Sequence, residues 1–254
     1  MFKRLALALC LVMTPAVADT PEVPLRNQGA LDIVSDWVAN PPPPPDPFSG
    51  PPVSPYVGRQ VLLEFPLTGP QDDFSPFRWT FDRHESKLEL SAFVSNFQHT
   101  STLTVGGRFL PTLSGMHGFT LEDRRAPSGT AEMMNSYGAK VSVEVIDETR
   151  LGVASYSEGG RGWVTQAPAS TFRYEAHLGA EDARELVPHL KFFALGKVVS
   201  NADGNPVTCG THYSEATINR PRQVSGKICL LNVEWVGFAF LDQRTGTQLK
   251  TWGG

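Results

Sequence analysis

Apolar side chains recur at every second position through much of the chain from residue 57 onward. Val61, Leu63 and Phe65 set the beat. It returns at Leu88, Leu90, Ala92 and Val94, at Val141, Val143 and Val145, and at Phe172, Tyr174, Ala176 and Leu178. Successive side chains of a strand point to opposite faces, so each run predicts a strand with one buried and one wet face. Residues 77–81 and 86–95 flank Asp82-Arg83-His84-Glu85, which predicts a hairpin turn. Asp203-Gly204, between 196–200 and 206–209, predicts another. The run 228–241 is apolar on both faces and carries Trp235, Phe238 and Phe240. It predicts a central strand pair, or one long strand bent near Gly237. Thr245-Gly246 then turns the chain into a last short strand ending near Trp252.

Two stretches follow a helical period instead. Leu31, Val34 and Val38, with Ile33 and Trp37 beside them, oppose Asp32, Ser35 and Asp36, and predict a short amphipathic helix over 30–38. A helix of about ten residues is marginal alone, so it must dock. The body of its own chain is the preferred surface, and a partner protein is the alternative. The second helix is expected from Ala180 to about Val187. Glu181 and Asp182 suit its positive N-terminal end, and Pro188 ends or kinks it. The stretch 122–138 is polar, with Pro127, Ser128, Gly129 and Gly138. It is expected to be a long loop that is functional, disordered, or folded around a short helix at 130–135.

These elements divide the chain into four parts. Residues 1–18 read as a secretory signal. Lys3 and Arg4 precede an apolar run from Leu5 to Met13, and Ala16 and Ala18 place cleavage between Ala18 and Asp19. That run is about half the roughly 20 residues of a membrane span, which disfavours an uncleaved anchor. Cys10 belongs to the run, and Leu9 before it is not the small residue a lipid-attachment signal needs. Residues 19–39 hold a polar stretch, expected to be loose over 19–28, and the first helix. Residues 40–56 contain five consecutive prolines from Pro41 to Pro45 and four more, which predicts a stiff polyproline II spacer of about 3.1 Å per residue. Residues 57–254 form a β-rich body, either one unit or two small β units meeting near 180. The expected fold is therefore mainly β: an antiparallel sandwich or barrel-like body with one or two short helices, preceded by a Pro-rich spacer.

Charge and cysteine content narrow the partners. Signal removal takes Lys3 and Arg4 from 22 basic residues and leaves 20 against 26 acidic ones. The longest basic run is Arg124-Arg125, directly after Glu122-Asp123, so nucleic acid has no electrostatic footprint. No second stretch is long and apolar enough for a membrane span. Cys209 and Cys229 remain in the mature chain. In an exported protein the simplest reading is a disulfide stapling two strands, contributing about 3 kcal/mol for a loop of this length. Free thiols or half a metal site are the alternatives, and the spacing is not that of a zinc motif.

The chain carries few patterns that specify chemistry. There is no Gly-x-Ser-x-Gly, and His84-Glu85 does not continue into His-Glu-x-x-His. His84, His99, His117, His177, His189 and His212 are scattered. Glu181, Glu185 and His189 would form one stripe on an unbroken helix and could hold a divalent ion. Pro188 disturbs that register, and a solvated helix face is the plainer reading. Asn201-Ala202-Asp203-Gly204-Asn205 is a turn and lacks the acidic positions of a calcium loop. Gly159-Gly160-Arg161-Gly162 lacks the residues of a phosphate loop. Trp79, Trp163, Trp235, Tyr137 and Tyr213 suit either sugar stacking or core packing. No cofactor is expected. The sequence thus points to an exported, non-catalytic β protein that binds or scaffolds a protein or polysaccharide partner in the envelope or outside. An exported hydrolase of cell-wall or carbohydrate polymers is the alternative.

Overall fold

The alternating runs form the expected strands. The structure is a computed structural model that describes residues 23–42, 54–72, 75–97, 104–105, 108–109, 116–134, 138, 140–156, 171–201, 203–216 and 222–253. The stretch expected to be a signal, with Cys10, Ala18 and Asp19, most of the Pro-rich segment, Tyr137, Trp163 and the glycines at 159, 160 and 162 lie outside the described residues. In chain order the elements are α1 (Asn27–Ala39), β1 (Gln60–Pro66), β2 (Phe77–Asp82), β3 (Lys87–Phe93), β4 (Ser95–Asn96), β5 (Thr104–Val105), β6 (Arg108–Phe109), β7 (Met116–Met134), β8 (Lys140–Tyr156), β9 (Thr171–His177), α2 (Ala180–Leu186), β10 (Leu190–Val198), β11 (Val207–Ser214), β12 (Arg222–Asp242) and β13 (Thr247–Trp252).

An eight-stranded sheet runs in the order β1-β10-β12-β8-β7-β4, with β11 and β13 also paired to β12. β2, β3 and β9 make a second, antiparallel sheet. The large sheet curls. Phe65 on β1 and Phe119 on β7 are four strand-to-strand steps apart, about 19 Å on a flat sheet, yet their ring centroids lie 5.1 Å apart. The second sheet packs into this curl through aromatic rings. Phe77 stacks on Phe65 at 4.2 Å, and Phe172 meets Phe238 at 4.5 Å and Phe192 at 5.3 Å. The result is a mainly β, sandwich- or barrel-like body with two short helices.

β12 is the central strand. Its first half lies parallel to β8 and antiparallel to β11, and its second half is antiparallel to β10 and β13. The bend expected near Gly237 is a bulge. Leu195 pairs with Gly237 and Gly196 with Trp235, which leaves Val236 as the extra residue. An extra residue reverses side-chain parity. Val233 and Trp235 point into the core before the bulge, and Phe238 and Phe240 after it.

α1 docks on its own chain, touching β1, β7, β8 and β12. Ala30, Ile33 and Val34 are buried in the main core, and burying the two branched side chains stabilises the docked helix by about 2 kcal/mol each. The approach to α1 is not loose. Leu25 pairs with the outer edge of β1, its N–H donating to the Gln60 carbonyl at 2.8 Å and its carbonyl accepting from the Leu62 N–H at 2.8 Å. The Asn27 amide continues this pairing. Its Nδ2 donates to the Glu64 carbonyl at 2.9 Å and its Oδ1 accepts from the Glu64 N–H at 2.8 Å. The side chain thus acts as one more strand peptide along an otherwise open edge.

Two expectations are corrected. Most of 122–138 is neither loop nor helix but the outer part of β7, paired with β8 out to Met134 and Lys140. Both faces of this part of β7 are wet, so its sequence carries no one-face apolar signal, and on the facing stretch of β8 Val143 is buried while Val141 is exposed. The Asp203-Gly204 turn forms, with the Asn201 side chain accepting from the Asp203 and Asn205 N–H groups at 3.0 and 2.9 Å and Gly204 at φ 79°. It does not join a hairpin. β10 and β11 both pair antiparallel with β12, one after the other. The turn is a local excursion between two nearly collinear strands, closed by the Asn201 N–H on the Asn205 carbonyl at 2.8 Å.

Candidate functional site

One row across four strands brings together three ionisable groups with shifted pKa values, Arg125, Glu148 and His212. His212 on β11 stands opposite Gly226 on β12, Gly226 beside Glu148 on β8, and Glu148 opposite Arg125 on β7. Arg150 and Asp123 occupy the next row on the same face. The two β7 residues reach this face because a register shift between Thr120 and Glu122 reverses parity. Gly226 supplies the space. A Cβ there would lie 2.1 Å from His212 Cε1 and 2.3 Å from its Nδ1, so the imidazole occupies the place of the missing side chain.

Glu148, 3 % exposed, is the hub. Its Oε1 accepts from Arg125 Nε at 2.7 Å and from Arg150 Nη2 at 2.9 Å. His212 Nε2 lies 2.8 Å from Oε2, a close contact that is not an aligned hydrogen bond. Asp123 accepts from Arg125 Nη2 at 3.1 Å and faces Arg150 Nε at 3.6 Å. Burial pushes the Glu148 carboxyl up, but the Arg150 hydrogen bond and the charges of Arg150, Arg125 and His212 outweigh it and hold the carboxyl below its usual range. Burial disfavours charge on His212. Arg150 and Arg125 reinforce this against the pull of Glu148 and Asp123, so its pKa is lowered. Two guanidinium groups then balance two carboxylates around a neutral imidazole. A histidine beside a carboxylate can act as a general base only if it reaches a reacting proton. His212 Nδ1 is buried without a hydrogen-bond partner, and none of the three grooves described below borders the cluster.

Those grooves lie elsewhere. The first, about 430 Å³, runs over the outer face of β1, β10, β12 and β13 and includes Leu62, Phe193, Leu195, Val236, Leu241 and Trp252. In strand register, Leu62 is opposite Leu195, Phe193 opposite Ala239, and Lys191 opposite Leu241. Val236, the bulge residue, is 48 % exposed. This face is apolar, and at its border Glu64 pairs with Lys191 and Gln243. A second groove, of about 410 Å³, lies between β2 and α2 and includes Trp79 and Phe81. A third, shallow one is lined by Arg26, Asn27, Gln28 and Glu64.

Cys209 and Cys229 stand directly opposite on β11 and β12 and are bonded, with Cα atoms 4.1 Å apart. Glu181 and Glu185 lie on α2, but Pro188 tightens the chain into a 3-10 turn over Val187–His189. Glu185 is held by Arg244. Among the described residues no three side chains of His, Cys, Asp or Glu converge to hold a metal ion. Trp235 is in the core, Tyr213 is exposed, and Trp79 lies in the second groove. His117 is partly buried, and burial lowers its pKa. Among the described residues no helix is long and apolar enough to cross a membrane.

Sequence reading missed the Glu148 hub. Asp123-x-Arg125 and Glu148-x-Arg150 do place opposite charges on one face of each strand, which is a readable signal. Pairing them with His212 through Gly226 required the strand register. No protein-family model matches the chain, and comparison with characterised proteins and with solved structures found no similar protein.

Proposed function

We propose that this chain is an exported, non-catalytic β-rich protein that binds or scaffolds an envelope or extracellular partner through the outer face of β1, β10, β12 and β13. One observation carries the reading. The groove on that face is apolar and open, the carboxylate at its border, Glu64, is taken up by Lys191 and Gln243, and the Glu148–His212 pair lies in a neutralised cluster away from it. An enzyme places such groups in its cleft. A binding module exposes an apolar patch. The N-terminal signal pattern and the disulfide both suit an oxidising compartment outside the cytoplasm.

The test uses a photo-crosslinking residue at Val236, with the same residue at exposed Met134 as control, in the cell envelope of a producing strain. A discrete adduct formed at Val236, absent at Met134 and lost on Leu195→Asp, supports the reading. Equal or absent labelling at the two sites rejects it. In parallel, purified protein is offered cell-wall and polysaccharide substrates. Turnover that disappears in Glu148→Gln would replace the binding role with that of an exported hydrolase.

A further inference from the structure

We propose that the groove between β2 and α2 is a binding site for a small amphiphilic anion, a carboxylate carried on a planar apolar body. Phe77, Trp79 and Phe81 share one face of β2. Phe77 is buried in the main core, but Trp79 and Phe81 are only partly buried and face a groove of about 410 Å³. Rings at two-residue steps stand about 7 Å apart along a strand, so the pair forms a continuous aromatic floor. The size and the mainly apolar lining are those of a small-molecule site. α2 contributes a wall in which Ala180 and Ala183 leave the rings uncovered.

Two features go beyond an apolar hollow. Arg83, from the turn after β2, and Arg184, from α2, both line the groove, and no acidic residue does. Neither guanidinium has an ion-pair or hydrogen-bond partner among the described residues. Two cations on one cavity without a counter-ion favour an anionic ligand, and a guanidinium pairs well with a carboxylate. The floor is also fixed in advance. β2 is paired with β3 on one edge and with Thr68 on the other, where the Thr68 N–H donates to the Phe77 carbonyl and the Trp79 N–H to the Thr68 carbonyl, both at 2.9 Å. Gly69 lies against the indole, since a Cβ on it would be 3.1 Å from Trp79 Cζ2. A rigid aromatic floor lowers the ordering cost of binding.

The experiment titrates the whole mature chain with 2-naphthoate and, separately, with the neutral 2-naphthalenemethanol, following tryptophan fluorescence and calorimetry. Saturable naphthoate binding is expected, at least about tenfold tighter than the alcohol, because a lost charged hydrogen bond costs that much or more. Arg83→Gln and Arg184→Gln should each weaken naphthoate about tenfold and leave the alcohol unchanged. Trp79→Phe should keep the fold and remove most of the fluorescence response. Equal affinity for acid and alcohol, no saturable binding, or no effect of the double arginine variant would overturn the proposal. Leu195→Asp should bind naphthoate as the parent does, so failure of the outer-face reading and failure of this one are separate results. Loss of naphthoate binding in a folded Leu195→Asp protein would also overturn the assignment to this groove.

Discussion

His212 Nε2 comes within 2.8 Å of Glu148 Oε2 although β12 runs between their strands. Next-nearest strands are about 9.6 Å apart, and the ring crosses because Gly226 has no side chain. Gly226→Ala should displace the imidazole and cost about 1–3 kcal/mol, as overpacking does. In a chain of this size that is a fall in Tm of several degrees. Removing the ring as well, in Gly226→Ala with His212→Ala, should recover part of the loss. A thermal melt of the parent, both single variants and the double variant checks this, and a Gly226→Ala protein as stable as the parent would contradict the placement of the ring.

The same cluster sets a pH dependence. His212 has a folded pKa below 6.5, chiefly through burial. As pH falls below about 6.5 the unfolded chain takes up a proton that the folded chain resists, so stability declines toward the folded pKa. Glu148 has its pKa lowered from 4.5 despite its burial, so its contribution is present above that value and is lost as pH falls through the folded one. Urea midpoints should therefore drop between about pH 7 and pH 5 and fall further in stronger acid. His212→Gln should flatten the first part of the curve. Some slope should survive, because burial lowers the His117 pKa as well. A variant with the parent's full slope would show that His212 does not titrate as described.

Asn27→Ala removes both bonds to the Glu64 backbone, and about 1–3 kcal/mol should go with them. Asn27→Asp keeps an acceptor for the Glu64 N–H but sets a carboxylate against the Glu64 carbonyl, and should recover little of this. Hydrogen exchange supplies the local readout. The Glu64 amide should lose protection in both variants, while those of the central strand keep theirs. Unchanged exchange at Glu64 would mean that the amide does not guard this edge.

Replacing Cys209 and Cys229 together by serine should lower stability by about 3 kcal/mol. For a chain of this length that corresponds to about 6–12 °C in Tm. The strand pairing around the bridge should survive. A loss of far-ultraviolet dichroism at room temperature would instead make the bridge a condition of folding.

The strands with one buried face were readable from sequence. Val61, Leu63 and Phe65 alternate because β1 faces the core on one side only, and Leu88, Leu90 and Ala92 do so for the same reason. The apolar double face of 228–241 was equally plain, and its outer half became the candidate binding face. The outer part of β7 was not readable, since a strand wet on both sides has no period for burial to impose. Turn chemistry at Asn201, Asp203 and Gly204 was correctly read as a turn, but local sequence does not say whether the chain reverses or resumes its line. Glu148 looked like an ordinary strand residue. Its burial depends on Arg125, Arg150 and His212, which come from three strands and meet only when register is fixed.

The position of β12 has a consequence for the order of assembly. This strand pairs with β8, β10, β11 and β13, and all but the last precede it in the chain. β1 finds its partner β10 only after some 130 residues have passed. Pairings between distant segments are slow to form. Synthesised from its N-terminus, the chain therefore emerges with its sheet still lacking a spine. For the exported protein proposed above, this arrangement leaves time to cross a membrane before folding, because the strand that organises the others is among the last to arrive.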